Sequence, residues 1–322
     1  MDASGEPDAP EADSEKVNAL VEAWAQKHRR WQREWAARHA VGPDVLYHYT
    51  DAVGALGIVE RRELWASNAA FLNDSTELVY VRGVLQEVLD ELAAGDEPSR
   101  AVARYGHLML RGLSESFYDV YVACFCENGD LLSQWRGYPR AGGGYSLGFD
   151  TRLLTQGNTA CRRVVYDAED QRAIIRRLFA TIRDVHVEFG DAGETTLASF
   201  EVRIASQAFY GLAECSFCFK HPAFQEEREW RRVALCHKKG GDGSDGGPVV
   251  LMRATPTGLL PYIATELADG EAGAEQRALS EVVIGPGRHP DLAATAAERL
   301  LLKAGYAAPD EIVRPSDIPL RV

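Results

Sequence analysis

Val45-Leu46-Tyr47-His48-Tyr49-Thr50, the segment Asp51–Arg61 and then Leu64-Trp65-Ala66-Ser67 decide the fold. The first and third runs are β-branched and aromatic, as strands are. The middle one carries Val53, Leu56, Ile58 and Val59 at helical spacing. Outward from this strand–helix–strand unit, Asp74 opens a helix through Ala93, with Asp74 and Glu77 spaced as a capping box. A helix is predicted over 101–116. Val120–Cys126 and Gly144–Phe149 read as strands, separated by the loop Gln134–Pro139.

Residues 168–188 and 195–213 are amphipathic helices, the first with a solvated face of Arg172, Arg176, Arg177 and Arg183. Glu229–Leu235 reads as a strand and the Gly-rich run Lys239–Gly247 as a mobile hairpin tip, with Val249–Arg253 returning beside it. Strand Val282–Ile284, a Gly285-Pro286-Gly287 turn, helix 291–304 and an extended Glu311–Val313 complete the chain. Strands and helices mix without regular alternation. The expectation is α+β, one domain over 41–322 with helical insertions and an N-terminal helical arm, rather than a doubly wound sheet.

The arm occupies 16–40, where Val17, Leu20, Val21, Trp24, His28, Trp31 and Trp35 form one helical stripe. Docking on the body of the chain is the favoured role, with partner binding or self-association the alternative. Residues 1–15 hold six of the acids behind the formal net charge of −13, offer little to bury, and are expected to be disordered. The acidic balance argues against a general DNA coat, although Lys27, Arg29, Arg30, Arg33 and Arg38 could form a local basic patch. No apolar run of about 18 residues and no signal-like N-terminus is present, so the expectation is a cytoplasmic protein without a membrane segment.

Phosphate-loop, zincin and nucleophile-elbow motifs are absent from the sequence. Cys124-x-Cys126 and Cys215-x-x-Cys218 have zinc-like spacing, but reduced, buried thiols are the simpler reading. What remains is a set of polar and aromatic residues at predicted strand ends. These are Tyr47-His48-Tyr49-Thr50, Trp65 with Ser67, Asn73-Asp74, Ser133–Tyr138 with Trp135 and Tyr138, and Glu226–Arg231. Converging, they would build an aromatic-walled binding cleft.

The succession Leu46–Thr50, Leu64–Ser67, Phe71–Glu77, Cys124–Glu127, Trp135–Tyr138, Gly144–Asp150, Glu227–Arg231, Val283–Pro286 and Ser316–Arg321 resembles a widespread bacterial family of unknown function, family 2971. The opening of that family is in turn similar to the ADP-ribosyltransferase superfamily, including enzymes of the DarT and diphtheria-toxin types. This resemblance implies a split β-sheet and NAD as substrate. It places His48 on the adenosine ribose, Thr50 as the brace of His48, the backbone at Tyr49 on the nicotinamide amide, and Trp65 with Ser67 around the nicotinamide. Tyr49 stands where the superfamily carries glycine. Glu229, assisted by Glu227, would be the catalytic carboxylate, both facing one cleft if 227–229 is a strand.

The activity implied is transfer of ADP-ribose to a macromolecular acceptor, protein or nucleic acid, or hydrolysis of NAD, in a toxin or phage-defence effector. A carboxylate suits this because cleavage of the nicotinamide–ribose bond passes through an oxocarbenium-like species. A nucleic-acid hydrolase using His48 with Glu227, Glu229 or Asp74, and a non-enzymatic nucleotide sensor, are the alternatives.

Overall fold

In a computed structural model, residues 9–39, 42–71, 76–115, 118–137, 144–154, 161–237, 248–255, 258–267 and 277–319 are described. They form two compact units, each treated by itself.

The helical unit gathers α1 (Ala9–His39), α3 (Thr76–Ala93), α4 (Glu97–Glu115), α7 (Ala168–Glu188) and α8 (Glu194–Ser216). Helix α1 begins inside the acidic stretch expected to be disordered. Its stripe is buried in its own unit: Val17, Leu20, Trp24, His28, Trp31 and Trp35 are all less than a tenth exposed. Trp24 Nε1 donates to Thr181 Oγ1 on α7 at 3.2 Å, and the close approach of α8 to His28 and Trp31 is made at Gly211. Docking is thus the role the stripe fills, and the apolar face proposed for a partner is already covered. The arginine face of α7 also has carboxylate partners, Arg172 and Arg176 reaching Glu87 and Glu91 of α3.

The sheet unit holds α2 (Ala52–Arg61), α5 (Leu132–Gly137), α6 (Thr151–Leu154), α9 (Pro290–Lys303) and, among the described residues, ten strands. These are β1 (Val45–Thr50), β2 (Glu63–Asn68), β3 (Tyr118–Cys126), β4 (Tyr145–Asp150), β5 (Cys161–Arg163), β6 (Glu229–His237), β7 (Val250–Thr255), β8 (Gly258–Glu266), β9 (Leu279–Ile284) and β10 (Val313–Pro315). The order is β10-β9-β4-β1-β3-β2-β8-β7, with β6 on the other edge of β3 and β5 on β6. Only β10 with β9 is parallel among the described ladders, so the sheet is mixed and the α+β class stands.

One edge of β3 pairs with β6 from Tyr118↔His237 to Cys126↔Glu229. Its other edge is shared: β1 meets it at Tyr47↔Cys126, and β2 meets it at Ser67↔Val122 and Asn68↔Tyr121. Between those points β1 and β2 diverge, and the sheet forks over positions 123–125. Helix α2 bridges the two arms of the fork. It is capped by Asp51, whose side chain accepts from Gly54 N at 2.8 Å, and it ends at left-handed Arg62, whose N–H returns to Ile58 O.

Several expectations are corrected here. Val250–Thr255 pairs with β8, not with the strand at 229–235. Strand β8 escaped notice because Pro261 interrupts a weakly alternating run. Residues 134–137 of the anticipated loop belong to the short helix α5 (Leu132–Gly137). The Gly-rich tip 239–247 and the Asp74 cap lie outside the described residues. No helix among the described residues is long and apolar enough to cross a membrane.

His28 gives the helical unit a testable pH response. It stacks between Trp24 at 4.5 Å and Trp31 at 5.4 Å, and neither ring nitrogen has a hydrogen-bond partner among the described residues. Burial pushes its pKa down from 6.5 to about 4. Above pH 6.5 both folded and unfolded chains hold it neutral. Between 6.5 and 4 the unfolded chain alone takes up the proton, so stability falls with pH over that window. The melting temperature of the wild-type chain should therefore drop more between pH 7.5 and pH 5 than that of His28→Leu. Equal drops would remove His28 as the cause.

Candidate functional site

The fork leaves a strand edge to be satisfied, and His48 does so. Its Nδ1 lies 2.8 Å from Cys124 O, and its ring packs on Phe125 at 5.8 Å. A carbonyl only accepts, so Nδ1 carries the proton and Nε2 presents a lone pair. Desolvation pushes the His48 pKa below 6.5, and the nearby Arg253 charge acts in the same direction, against the Cys124 bond. The imidazole is therefore neutral at physiological pH.

On the arm made by β2, β8 and β7, Trp65, Ser67, Tyr262 and Arg253 come together. Ser67 is opposite Tyr262 in the ladder, and Tyr262 opposite Leu251. Arg253 donates to Ser67 Oγ at 2.8 Å and places its guanidinium 5.7 Å from the Trp65 ring and 6.0 Å from Tyr262. Trp65 and Tyr262 are 5.1 Å apart. The edge of Trp65 rests on Gly57 of α2, where a Cβ would lie 2.5 Å from the indole.

Two of the sequence-derived residues, Trp65 and Ser67, are thus brought together by Arg253; the Arg253 charge also acts on His48, which by register lies on the other sheet face. Neither Arg253 nor Tyr262 was anticipated. The available signal was a lone arginine inside the otherwise uncharged run Val250–Thr255.

The remaining candidates sit elsewhere. Thr50 packs on Gly54 at the start of α2, while the hydrogen bond that orients His48 is the one to Cys124. Tyr47 and Tyr49 point to the other face, where Tyr49, Cys126, Trp135 and Val283 form a small core with Tyr47 against it. Tyr49 Oη donates to Asn128 O and accepts from Leu131 N, both at 2.8 Å, and burial pushes its pKa up. Trp135 Nε1 donates to Asp130 at 2.6 Å, and its ring meets Tyr49 edge-on at 4.8 Å. Tyr47 donates to Glu281, which also pairs with Arg314. Asn73 and Tyr138 lie outside the described residues.

Glu229 begins β6 opposite Cys126, on the face of Tyr47, whereas Phe125, which packs on His48, and Trp230 belong to the other face. Its carboxylate is held by Arg231 through two bonds of 2.7 and 3.0 Å, and both side chains are no more than 4% exposed. Glu227 does not share its strand. It closes a 3-10 turn, Pro222–Glu227, and Arg228 between them is left-handed at φ 42°, which breaks the two-residue alternation that would have aligned the carboxylates. Among the described residues no group of three or more His, Cys, Asp or Glu is placed to hold a metal ion. The six cysteines are free thiols, five of them buried.

Residues 134–232 match the model of a family described as a protein of unknown function (DUF2971). The match contains Trp135, Glu227, Glu229 and Arg231, but not His48, Trp65, Ser67 or Arg253. No curated protein and no solved structure matches the chain.

The tight seat of Trp65 yields a prediction. Gly57→Ala puts a methyl into the indole and should cost about 1–3 kcal/mol of stability, while shifting the fluorescence of Trp65 relative to a Trp65→Phe control. An unchanged melt and spectrum would show that the seat is loose. Glu229→Gln should cost about 3 kcal/mol, because Arg231 loses its counter-charge in a buried setting; a denaturant melt measures it.

Proposed function

We propose that the fork of the sheet binds NAD and that the chain transfers its ADP-ribose moiety to a macromolecular acceptor, or to water. The observation that carries this reading is the state of His48: neutral, oriented through Nδ1, and offering Nε2 as an acceptor to a ribose hydroxyl. The aromatic pair Trp65 and Tyr262 supplies flat walls for a heterocycle. The divergence of β1 and β2 from one edge of β3 supports the split-sheet architecture that the ADP-ribosyltransferase resemblance implies.

In this reading the bond between nicotinamide and ribose C1′ breaks, and nicotinamide leaves with the bonding pair. The acceptor attacks C1′ and gives up its proton. Glu229 is the carboxylate assigned to the developing oxocarbenium charge.

The burial of Glu229 against Arg231 favours a second reading, a nucleotide sensor that binds without turnover, because a carboxylate closed off in a two-bond pair does not meet a substrate until that pair opens.

Calorimetry with NAD, paired with an assay for released nicotinamide, separates these. The wild-type chain should bind NAD, and His48→Ala should weaken binding at least tenfold, the loss of about 1.4 kcal/mol expected for one good hydrogen bond. Glu229→Gln, assayed below its melting transition, should keep NAD affinity and lose nicotinamide release. Binding without release, with or without candidate acceptors, would select the sensor. Absence of NAD binding, or full affinity in His48→Ala, would overturn the site.

A further inference from the structure

We infer that the cavity enclosed by α2, α9 and the sheet face of β4 and β9 binds a small neutral molecule, apolar except for one carbonyl oxygen. The inference goes beyond the NAD reading and does not rest on it.

The cavity measures about 250 Å³ and lies wholly within the sheet unit. Its floor is laid by the ladder. Leu147 of β4 stands opposite Val282 of β9, and Tyr145, two residues before Leu147, shares their face. Helix α2 supplies one wall with Ala52, Ala55, Leu56 and Val59, which recur at three- and four-residue spacing. Helix α9 supplies the other with Ala296, Ala297, Leu300 and Leu301. Ala55, Val59, Ala297 and Leu301 are buried, whereas Ala52, Leu56 and Ala296 are exposed and mark the mouth. The two helices are tied by Lys303 Nζ on Glu60 at 2.7 Å.

Folded interiors leave few spaces larger than a water molecule. Here the space follows from the side chains, because four of the eight wall positions are alanine. An apolar cavity of about 150 Å³ accepts benzene, so one of about 250 Å³ accepts a single ring with a short substituent.

The lining also fixes the polarity of the occupant. Every lining side chain is Ala, Leu or Val except Tyr145. An ionised ligand would lose water there and find no counter-charge, so the occupant is neutral. Tyr145 is half-buried, and burial pushes its pKa up with no hydrogen bond or neighbouring charge contributing. A tyrosine hydroxyl drawn out of water usually has a partner. The phenol is protonated and donates, and no other lining side chain carries an acceptor; a carbonyl oxygen on the ligand completes the site.

Acetophenone and ethylbenzene share a skeleton and differ by the carbonyl, and calorimetric titration of the full-length chain with each tests the site. Both should bind, and benzoate should not. Ala297→Leu fills the cavity and should weaken both about tenfold with the melting temperature unchanged or raised. Ala296→Leu narrows the exposed mouth without altering the buried packing and should weaken both in the same direction. Tyr145→Phe should keep ethylbenzene affinity within about twofold and weaken acetophenone about fivefold, the loss of one hydrogen bond. If the wild-type chain binds neither probe, or if both alanine variants bind them as the wild type does, the cavity is a packing gap and the inference is wrong. Acetophenone affinity unchanged in Tyr145→Phe, or benzoate binding as tightly as acetophenone, would overturn the ligand class.

Discussion

The sheet unit depends on the sharing of one strand edge. Strand β3 is fully paired with β6 on one side, but on the other it accommodates two strands, β1 at Cys126 and β2 at Tyr121 and Val122. Two strands on one edge must part, and wherever they part the backbone between them loses its ladder. An exposed strand edge inside a folded unit is costly unless something bonds to it. His48 answers that cost at Cys124 with a side chain rather than a backbone group. The same bond fixes the tautomer, so a structural requirement of the fork produces a chemically defined acceptor.

The rule that adjacent strand residues point to opposite faces then divides the labour along β1. His48 turns into the fork. Tyr47 and Tyr49 turn away, toward the Asp130 carboxylate, which receives Trp135 Nε1, Ser316 Oγ and the Asp317 N–H and so ties α5 and the C-terminal segment to one point. The tyrosine at position 49 belongs to this second face: its hydroxyl is used at both lone pair and proton by Asn128 and Leu131. The aromatic density of Tyr-His-Tyr therefore serves two environments with different physics, one of packed hydroxyls and one of a desolvated imidazole.

That division also explains how much was legible in the sequence. The strands and helices over 45–68, 168–216 and 279–303 follow from periodicity, because each has one buried face and a defined end. Which aromatics belong together was not legible, since Tyr49 and Trp135 look as ligand-like as Trp65 until Tyr49 is seen bonded to Asn128 and Leu131 and packed on Trp135. Arg253 was hidden because its significance comes from β7 pairing with β8, a strand interrupted by Pro261, and not from its neighbours in sequence. Glu227 and Glu229 were misleading for a local reason: the inference of a common face requires extended backbone at Arg228, and that residue is left-handed.

The Glu229–Arg231 pair carries the remaining tension between stability and chemistry. Two residues apart on one strand, their side chains share a face, so the fork of Arg231 reaches both carboxylate oxygens without distorting the backbone. Burying such a pair gains little over packed apolar side chains, because desolvation offsets most of the Coulombic attraction. Its presence is not explained by stability alone. In the transfer reaction proposed above, the Glu229 carboxylate has to be released from Arg231 before it can meet a developing oxocarbenium charge. In a sensor, by contrast, the pair would stay closed and only the fork around His48 would read the ligand. The two functions differ in whether ligand binding at the fork is coupled to opening of a single buried ion pair on the neighbouring strand.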